Sequence, residues 1–454
     1  MPKTKQSKTD ITPSPHRLLS SLRDVGYDFV TAVADIVDNS IAAGARKVTV
    51  EITHQGGPPS VVIADDGHGM TEARLVEAIR LGSERDYESD DLGKFGLGLK
   101  TASLSQCRRL VVLTRHSRSQ FRVARAMLDL DEVAASNRWK LSSPPADLVH
   151  SLANKWLVGG TGTVVAMQKL DRIIPDVEEL GGWDRRRLDR MAEATASHLS
   201  MVFHRFIEGL PRRRTLKIFV NGKKLRAWNP FAPGERFTKE LPEHTFEFSA
   251  EGISGDVRVQ GYVLPPRDSF SSADAFESLS GPRKWNRQQG FYIYRNHRLI
   301  QSGGWCGMRA ADEHTKLARI AVEFSSSLDE LFNVNIAKMK VSIPPQLRVL
   351  LERAVHDVIK TAQATYRSPL KVVGAKGRSR NAEMSKPVRS SPSPVYGELM
   401  LALRAAALAT GDIDPLARIL KRLRRDAPEL AAAAGLPSDG KRRSKQQRPA
   451  SEVG

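Results

Sequence analysis

Between Arg17 and about Leu170, segments with helical apolar spacing alternate with short β-branched runs: VTVEI at 48–52, SVVIAD at 60–65, LVVLTR at 110–115 and TVVAM at 163–167. Strand-length apolar runs cannot bury both faces alone. Interleaved with helices, they constrain this region to an α/β sandwich, helices layered on a sheet. The chain has 454 residues, 40% of them hydrophobic. At about 150 residues per domain, that suggests roughly three units. The sequence has no apolar run of about 18 residues, which rules out a transmembrane helix. Its first residues, MPKTKQSKTDITPSPHR, carry charge and no apolar segment of the secretory type. Cys107 and Cys306 are the only cysteines, too few for a disulfide framework or a Cys-rich zinc site. A cytoplasmic protein with reduced thiols is expected, with no membrane partner.

The remaining organisation is read from changes of texture. Residues 1–16 form a basic arm of disordered composition, and 17–172 the α/β sandwich. Residues 173–215 are dominated by one helical pattern, 183–208, connecting two domains. Residues 216–367 form a second α/β unit. It opens on LKIFVNGKKL, with the hairpin signal Asn221-Gly222, and closes on a helix over 349–367. Residues 368–394 are a Ser-, Pro- and Lys/Arg-rich linker. Residues 395–454 form a basic tail, partly helical and partly disordered. The formal net charge is +19, from 70 Lys and Arg against 51 Asp and Glu. From Lys371 onward there are 17 Lys and Arg against eight Asp and Glu, so +9 falls in 84 residues. A field of that sign attracts phosphate backbones.

Four motifs carry chemistry. In TAVADIVDNSIAAGA, 31–45, Val33, Val37 and Ile41 share one helical face with Val30. Asp35 and Asn39 are four apart on the other face, with Asp38 one turn from Asp35. An acid and an amide stacked this way can hold a water and a metal together. In VVIADDGHGM, 61–70, a buried strand runs into Asp65, which can accept from an exocyclic amine. Gly67 and Gly69 follow, ahead of Met70, and allow the backbone close to a flat ligand. LGKFGLGLKTAS, 92–103, places Gly93, Gly96 and Gly98 before a helical stretch, with Lys94 and Lys100 adding charge. Backbone N–H groups at such a turn suit an anion. The loop lacks a GK[ST] ending, and no strand feeds directly into it. It is therefore neither a Walker A loop nor a dinucleotide fingerprint. In GGTGTVVAM, 159–167, Thr163 opens a strand where its hydroxyl can support a ligand water or Asp65.

In this order and spacing, the four together resemble the ATP-binding domain of the GHKL superfamily: gyrase B, the large heat-shock chaperone, histidine kinases and MutL. DIVDNS resembles the N box, DDGHGM the first glycine box, GKFGLGLKTAS the second and GTVV the closing Thr strand. The boxes look most like those of MORC-type and chaperone-like ATPases, then MutL. The resemblance implies a Bergerat-fold α/β sandwich with ATP and Mg²⁺ as ligands. Asn39 would coordinate Mg²⁺, and Asp65 would bind the adenine amino group. Gly67, Gly69 and Met70 would lie beside base and ribose. Gly93, Lys94, Gly96, Gly98 and Lys100 would serve the phosphates, under a lid over 81–99. Thr163 would steady Asp65. The family's general base is usually Glu; here that place is held by Asp35, one methylene shorter, so slow hydrolysis is expected. Asp38 is the alternative carboxylate. Residues 216–345 resemble the transducer domain that follows the ATPase in MutL, gyrase B and MORC-like proteins. FNVNIAKMKVSIP, 332–344, resembles its phosphate-reaching loop, which makes Lys338 the first candidate for a catalytic lysine and Lys340 the second.

The resemblance implies an ATP-gated switch or clamp. In that reading ATP closes the lid, two protomers dimerise, and the basic tail holds DNA without reading its sequence. The stretch ahead of the N box has no room for a phosphoacceptor hairpin, which argues against a histidine kinase. Two alternatives stay open: a chaperone-like ATPase acting on protein clients, and a nucleotide-binding regulator without hydrolysis.

Overall fold

Alternation along three adjacent strands builds the first layer. On β2 (Ser60–Asp65), Val61 and Ile63 face one core while Val62 and Ala64 face another. On β3 (Arg109–Arg115), Leu110 and Val112 are divided from Val111 and Leu113 in the same way. On β5 (Gly162–Gln168), Val165 and Met167 are divided from Val164 and Ala166. A slip of one residue would turn every one of these side chains to the wrong side, so the register is strongly specified. With β1 (Lys47–Thr53), β4 (Ala124–Asp129), β6 (Lys217–Val220) and β7 (Lys223–Lys224), the order is β4-β3-β5-β2-β1-β6-β7. All pairings are antiparallel except β1 with β6. The computed structural model describes residues 13–24, 26–54, 58–80, 98–117, 122–158, 160–174, 181–211, 214–250, 252–334, 341–367, 420 and 422.

One face of this sheet carries α1 (Pro15–Arg23), α2 (Phe29–Ala42), α3 (Glu72–Ile79), α4 (Gly98–Gln106), α5 (Leu130–Ser136) and α7 (Gly182–Val202). The other carries α6 (Ala146–Trp156), through Val149 and Leu152. Asp28 starts α2 by accepting from the Thr31 N–H at 2.8 Å. The sheet therefore has helices on both faces, as the sequence pattern implies. The run over 124–129, which sequence inspection passes over, supplies the edge strand β4.

The helical pattern over 183–208 is not one helix. α7 stops at Val202, and α8 (His204–Glu208) restarts beyond the fully buried Phe203. The break aims His204 and Arg205 at the second sheet. His204 Nε2 lies 2.9 Å from the Tyr294 hydroxyl, and Arg205 lies 3.0 Å from Glu323. The Asn221-Gly222 hairpin forms, with both residues at positive φ, but β6 pairs with β1 and so extends the first sheet.

The second sheet comprises β8 (Lys239–Glu240), β9 (His244–Ala250), β10 (Ile253–Val263), β11 (Gly290–Arg295), β12 (Arg298–Ser302) and β13 (Ala318–Phe324). Its order is β12-β11-β13-β10-β8, with β9 also on β10, and β11 runs parallel to β13. Short α9 (Ala273–Leu279) and α10 (Lys284–Gln288) precede β11, and α11 (Pro345–Arg367) covers β10 and β13. The chain divides into two compact units, Met1–Val372 and Val373–Gly454, and both sheets belong to the first. Of the expected arm over 1–16, residues 1–12 lie outside the described residues and Pro15 and His16 begin α1; the linker over 368–394 and the tail other than Leu420 and Arg422 also lie outside them.

Candidate nucleotide site

Register brings the first pair of candidates together. Asp65 is opposite Thr163 on β5, which is opposite Thr114 on β3. The Asp65 carboxylate accepts from Ser40 Oγ at 2.9 Å, from the Gly67 N–H at 2.9 Å and from the Thr163 N–H at 3.3 Å. Burial pushes the Asp65 carboxyl up from its ordinary range, and these three donors oppose the shift. Thr163 thus steadies Asp65 through its backbone, while its hydroxyl lies 3.2 Å from that of Thr114. Thr114 donates to the Gly162 carbonyl and accepts from the Met70 N–H at 2.9 Å. That bond places Met70 on the floor formed by these strands.

The glycines of DDGHGM are required sterically. A Cβ on Gly69, whose φ is +65°, would lie 2.1 Å from the Arg115 carbonyl oxygen. A Cβ on Gly67 would lie 2.8 Å from Ala43. The segment passes so close to β3 and to the end of α2 that no side chain fits.

α2 is more enclosed than a one-faced helix. Residues 31–38 and Ser40 are buried, whereas Asn39 is exposed. The face expected to hold Asp35 and Asn39 therefore divides by depth. The Asn39 amide is presented outward, and the acids sink inward. Asp35 accepts from the Tyr27 hydroxyl at 2.9 Å and from Arg298 Nη2 at 3.3 Å. Asp38 accepts from Arg298 Nε at 2.8 Å. Burial, with the Asp35 charge beside it, drives the Tyr27 hydroxyl far above its usual range. Tyr27 thus stays a hydrogen-bond donor at any working pH. Arg298 is only 2% exposed and comes from β12 of the second sheet. One guanidinium thus ties both N-box acids to a strand some 260 residues away in sequence.

Sequence inspection missed Arg298, Tyr27, Ser40 and Thr114. The one available signal for Arg298 was its place directly after the Asn296-His297 turn of GFYIYRNHRLI, inside a strand that reads as buried.

Gly98 opens α4, and a Cβ there would come to 4.0 Å from Asp35 Oδ2, so the end of the second glycine box adjoins the N box. Lys100 does not point to that junction. Its ammonium is buried and donates to the Arg80 carbonyl, and burial lowers it to about 8. Gly93, Lys94, Gly96 and most of the expected lid over 81–99 lie outside the described residues, as do Lys338 and Lys340.

These residues fit a nucleotide. A cradle that would not admit a Cβ lies beside a half-buried carboxylate fixed by three hydrogen bonds, next to an outward amide. Among the described residues, no group of three His, Cys, Asp or Glu could hold a metal ion. An ion here would need phosphate oxygens as most of its ligands, the usual arrangement for Mg²⁺.

Residues 27–160 match the family of histidine kinase-, DNA gyrase B- and HSP90-like ATPases. Residues 27–160 are thus similar to the ATP-binding domain of the GHKL class. The chain is 24% identical over 282 residues to the DNA mismatch repair protein MutL of Myxococcus xanthus, covering 61% of this chain and 39% of that protein. It is 33% identical over 91 residues to MutL of Afipia carboxidovorans, covering 19% of this chain and 15% of that one. Protein MICRORCHIDIA 6 of Arabidopsis thaliana is 31% identical over 94 residues, 20% of this chain and 14% of that one. The chain spans well under half the length of these relatives. No described helix is long and apolar enough to cross a membrane.

Proposed function

We propose that the chain is an ATP-driven switch. It binds ATP with Mg²⁺, hydrolyses it slowly, and converts the occupied state into dimerisation and a hold on DNA. Asn39 holds the metal, and Asp65 reads the adenine amino group. Gly67, Gly69 and Met70 line the base and ribose. Gly93, Lys94, Gly96 and Gly98 serve the phosphates, and Lys100, bonded to the Arg80 carbonyl, does not. Asp35 is the base that takes the proton of the attacking water, and Lys338 reaches the γ-phosphate. When bound, Mg²⁺ screens the phosphate charge and orients the phosphates for in-line attack.

The observation that carries this reading is Arg298. The candidate base is held by the second sheet, so freeing or re-aiming it requires β12 to shift relative to α2. A site arranged this way links the state of the nucleotide to the position of the second α/β layer, which a plain hydrolase does not need. The names of the similar proteins, DNA mismatch repair MutL among them, favour DNA as the object held.

The test is calorimetry and steady-state hydrolysis on the full chain, with and without duplex DNA. Asn39→Ala should abolish Mg²⁺-dependent ATP binding, and Asp65→Asn should erode the preference for adenine. Asp35→Ala should bind ATP and fail to turn it over. Unchanged affinity in both Asn39→Ala and Asp65→Asn would refute the assignment of the site.

A further inference from the structure

Away from the nucleotide cradle, the second sheet carries a concentration of arginines that the switch does not use. A cavity of about 470 Å³ opens between α10 and the loop after β12. Arg283, Asn286, Arg287, Gly304, Trp305 and Arg309 line it, and among the described residues no carboxylate does. Three guanidinium groups facing one space repel one another, and an arrangement of that kind is relieved by an anion.

The walls are fixed. Trp305 is 3% exposed and donates from its indole to Gln289 Oε1 at 3.1 Å, so its ring is a rigid floor. The Arg309 guanidinium lies 5.3 Å from the centre of that ring. Arg309 Nε is buried and finds no hydrogen-bond partner among the described residues. A buried donor without a partner is costly and uncommon. Asp312 feels the Arg309 charge, but its Oδ1 is engaged by the His314 N–H and ring at 2.9 and 3.0 Å. Arg283 spends one nitrogen on the Ser302 carbonyl at 3.1 Å, which fixes its fork. The loop is pressed against the helix that brings Arg287. A Cβ on Gly303, at φ +69°, would lie 2.5 Å from the Arg287 carbonyl oxygen.

We propose that this pocket is a second anion site of the molecule, separate from the nucleotide cradle, and that its ligand is a phosphoryl group. The guanidinium fork matches the oxygens of a phosphate bidentately, and Asn286 adds an amide donor. The phosphoryl group is carried either by a small free phosphate ester or by a nucleic-acid backbone. Both sources present the same tetrahedral anion.

The probe is inorganic pyrophosphate, titrated calorimetrically into the full chain at low salt. Arg283 and Arg287 are exposed, so Arg283→Ala/Arg287→Ala should fold normally, which circular dichroism checks. The double variant should bind pyrophosphate at least about tenfold more weakly, as expected from losing charge-assisted hydrogen bonds. Asn39→Ala, which removes the proposed metal ligand of the nucleotide cradle, should keep the pyrophosphate affinity of the wild type. Failure of the ATP reading is thereby distinguished from failure of this one. Competition by a short duplex would assign the pocket to a DNA backbone. Absence of competition, with pyrophosphate still bound, would assign it to a small phosphate ester. Equal affinity in wild type and double variant, or no binding by the wild type at millimolar pyrophosphate, would overturn the proposal.

Discussion

Arg298 is where one residue decides most. It is buried with Asp35 and Asp38, each no more than 2% exposed, and it hydrogen-bonds both. Breaking a buried ion pair from one side leaves charge with too little compensation, a loss of about 3–5 kcal/mol. Arg298→Ala should lower the free energy of unfolding by that order. Arg298→Ala combined with Asp38→Asn should recover part of the loss, because one of the stranded charges goes with it. Equilibrium unfolding of the three variants checks this, and additivity of the two single effects would count against a direct pair. The same residues show what the sequence reveals. The places of Asp65, Gly67, Gly69 and Asn39 were legible because each is local: a strand end, a tight turn and a helix face. Asp35 was legible as a carboxylate one turn before Asn39 but not as one shared with Tyr27 and Arg298. No local pattern encodes a partner 263 positions away.

At the scale of elements, α7 is the joint between the layers. Its His198 is pushed down to about 4, by burial first and then by the charge of Arg298. Arg283 also lowers it, while Asp28 and Asp38 act the other way. The unfolded chain takes up this proton as pH falls through about 6.5, and the folded chain does not until about 4. Between those values the unfolded state binds more protons, so stability rises with pH and is lost on acidification. His198→Gln should remove that slope. Wild type should lose on the order of 1–3 kcal/mol relative to the variant between pH 6.5 and 4, measured by urea unfolding at each pH. Glu323 acts in a lower window. The hydrogen bond from His297 and the charge of Arg205 overcome the effect of burial and hold its carboxyl down at about 2. Its contribution is present above about 4.5 and is lost only as pH falls toward 2. Strands and helices with strong periodicity were read correctly, since alternation on β2, β3 and β5 is a direct print of the two cores. The break at Phe203 and the transfer of the 217–224 hairpin to the first sheet were not. Both are set by tertiary partners, Tyr294 and Glu323 in one case and β1 in the other.

For the whole molecule, the proposed hold on DNA can fall to either of two parts. The stretch from Lys371 onward carries +9 in 84 residues, and the preceding 370 carry the remaining +10. The tail has a single aromatic residue, Tyr396. Stacking on unpaired bases is therefore weak there, and neutralised phosphate must supply the affinity. If the tail neutralises about six phosphates, affinity should fall by roughly three orders of magnitude between 50 and 200 mM salt. Deleting 371–454 should then remove most of the binding and leave ATP affinity intact, because the nucleotide residues lie elsewhere. The second arrangement is a hold by the first unit once ATP has paired two protomers. In that case a non-hydrolysable ATP analogue should double the mass seen by light scattering, and ADP should not. Lys338→Ala should weaken the shift. Truncation would change little, and retention on circular DNA would require the analogue. The two are separated by one comparison, full-length against truncated chain, on linear and circular DNA with and without the analogue. A chain that stays monomeric with every nucleotide and binds no DNA at low salt would remove the clamp and leave the nucleotide site as a switch for a protein client.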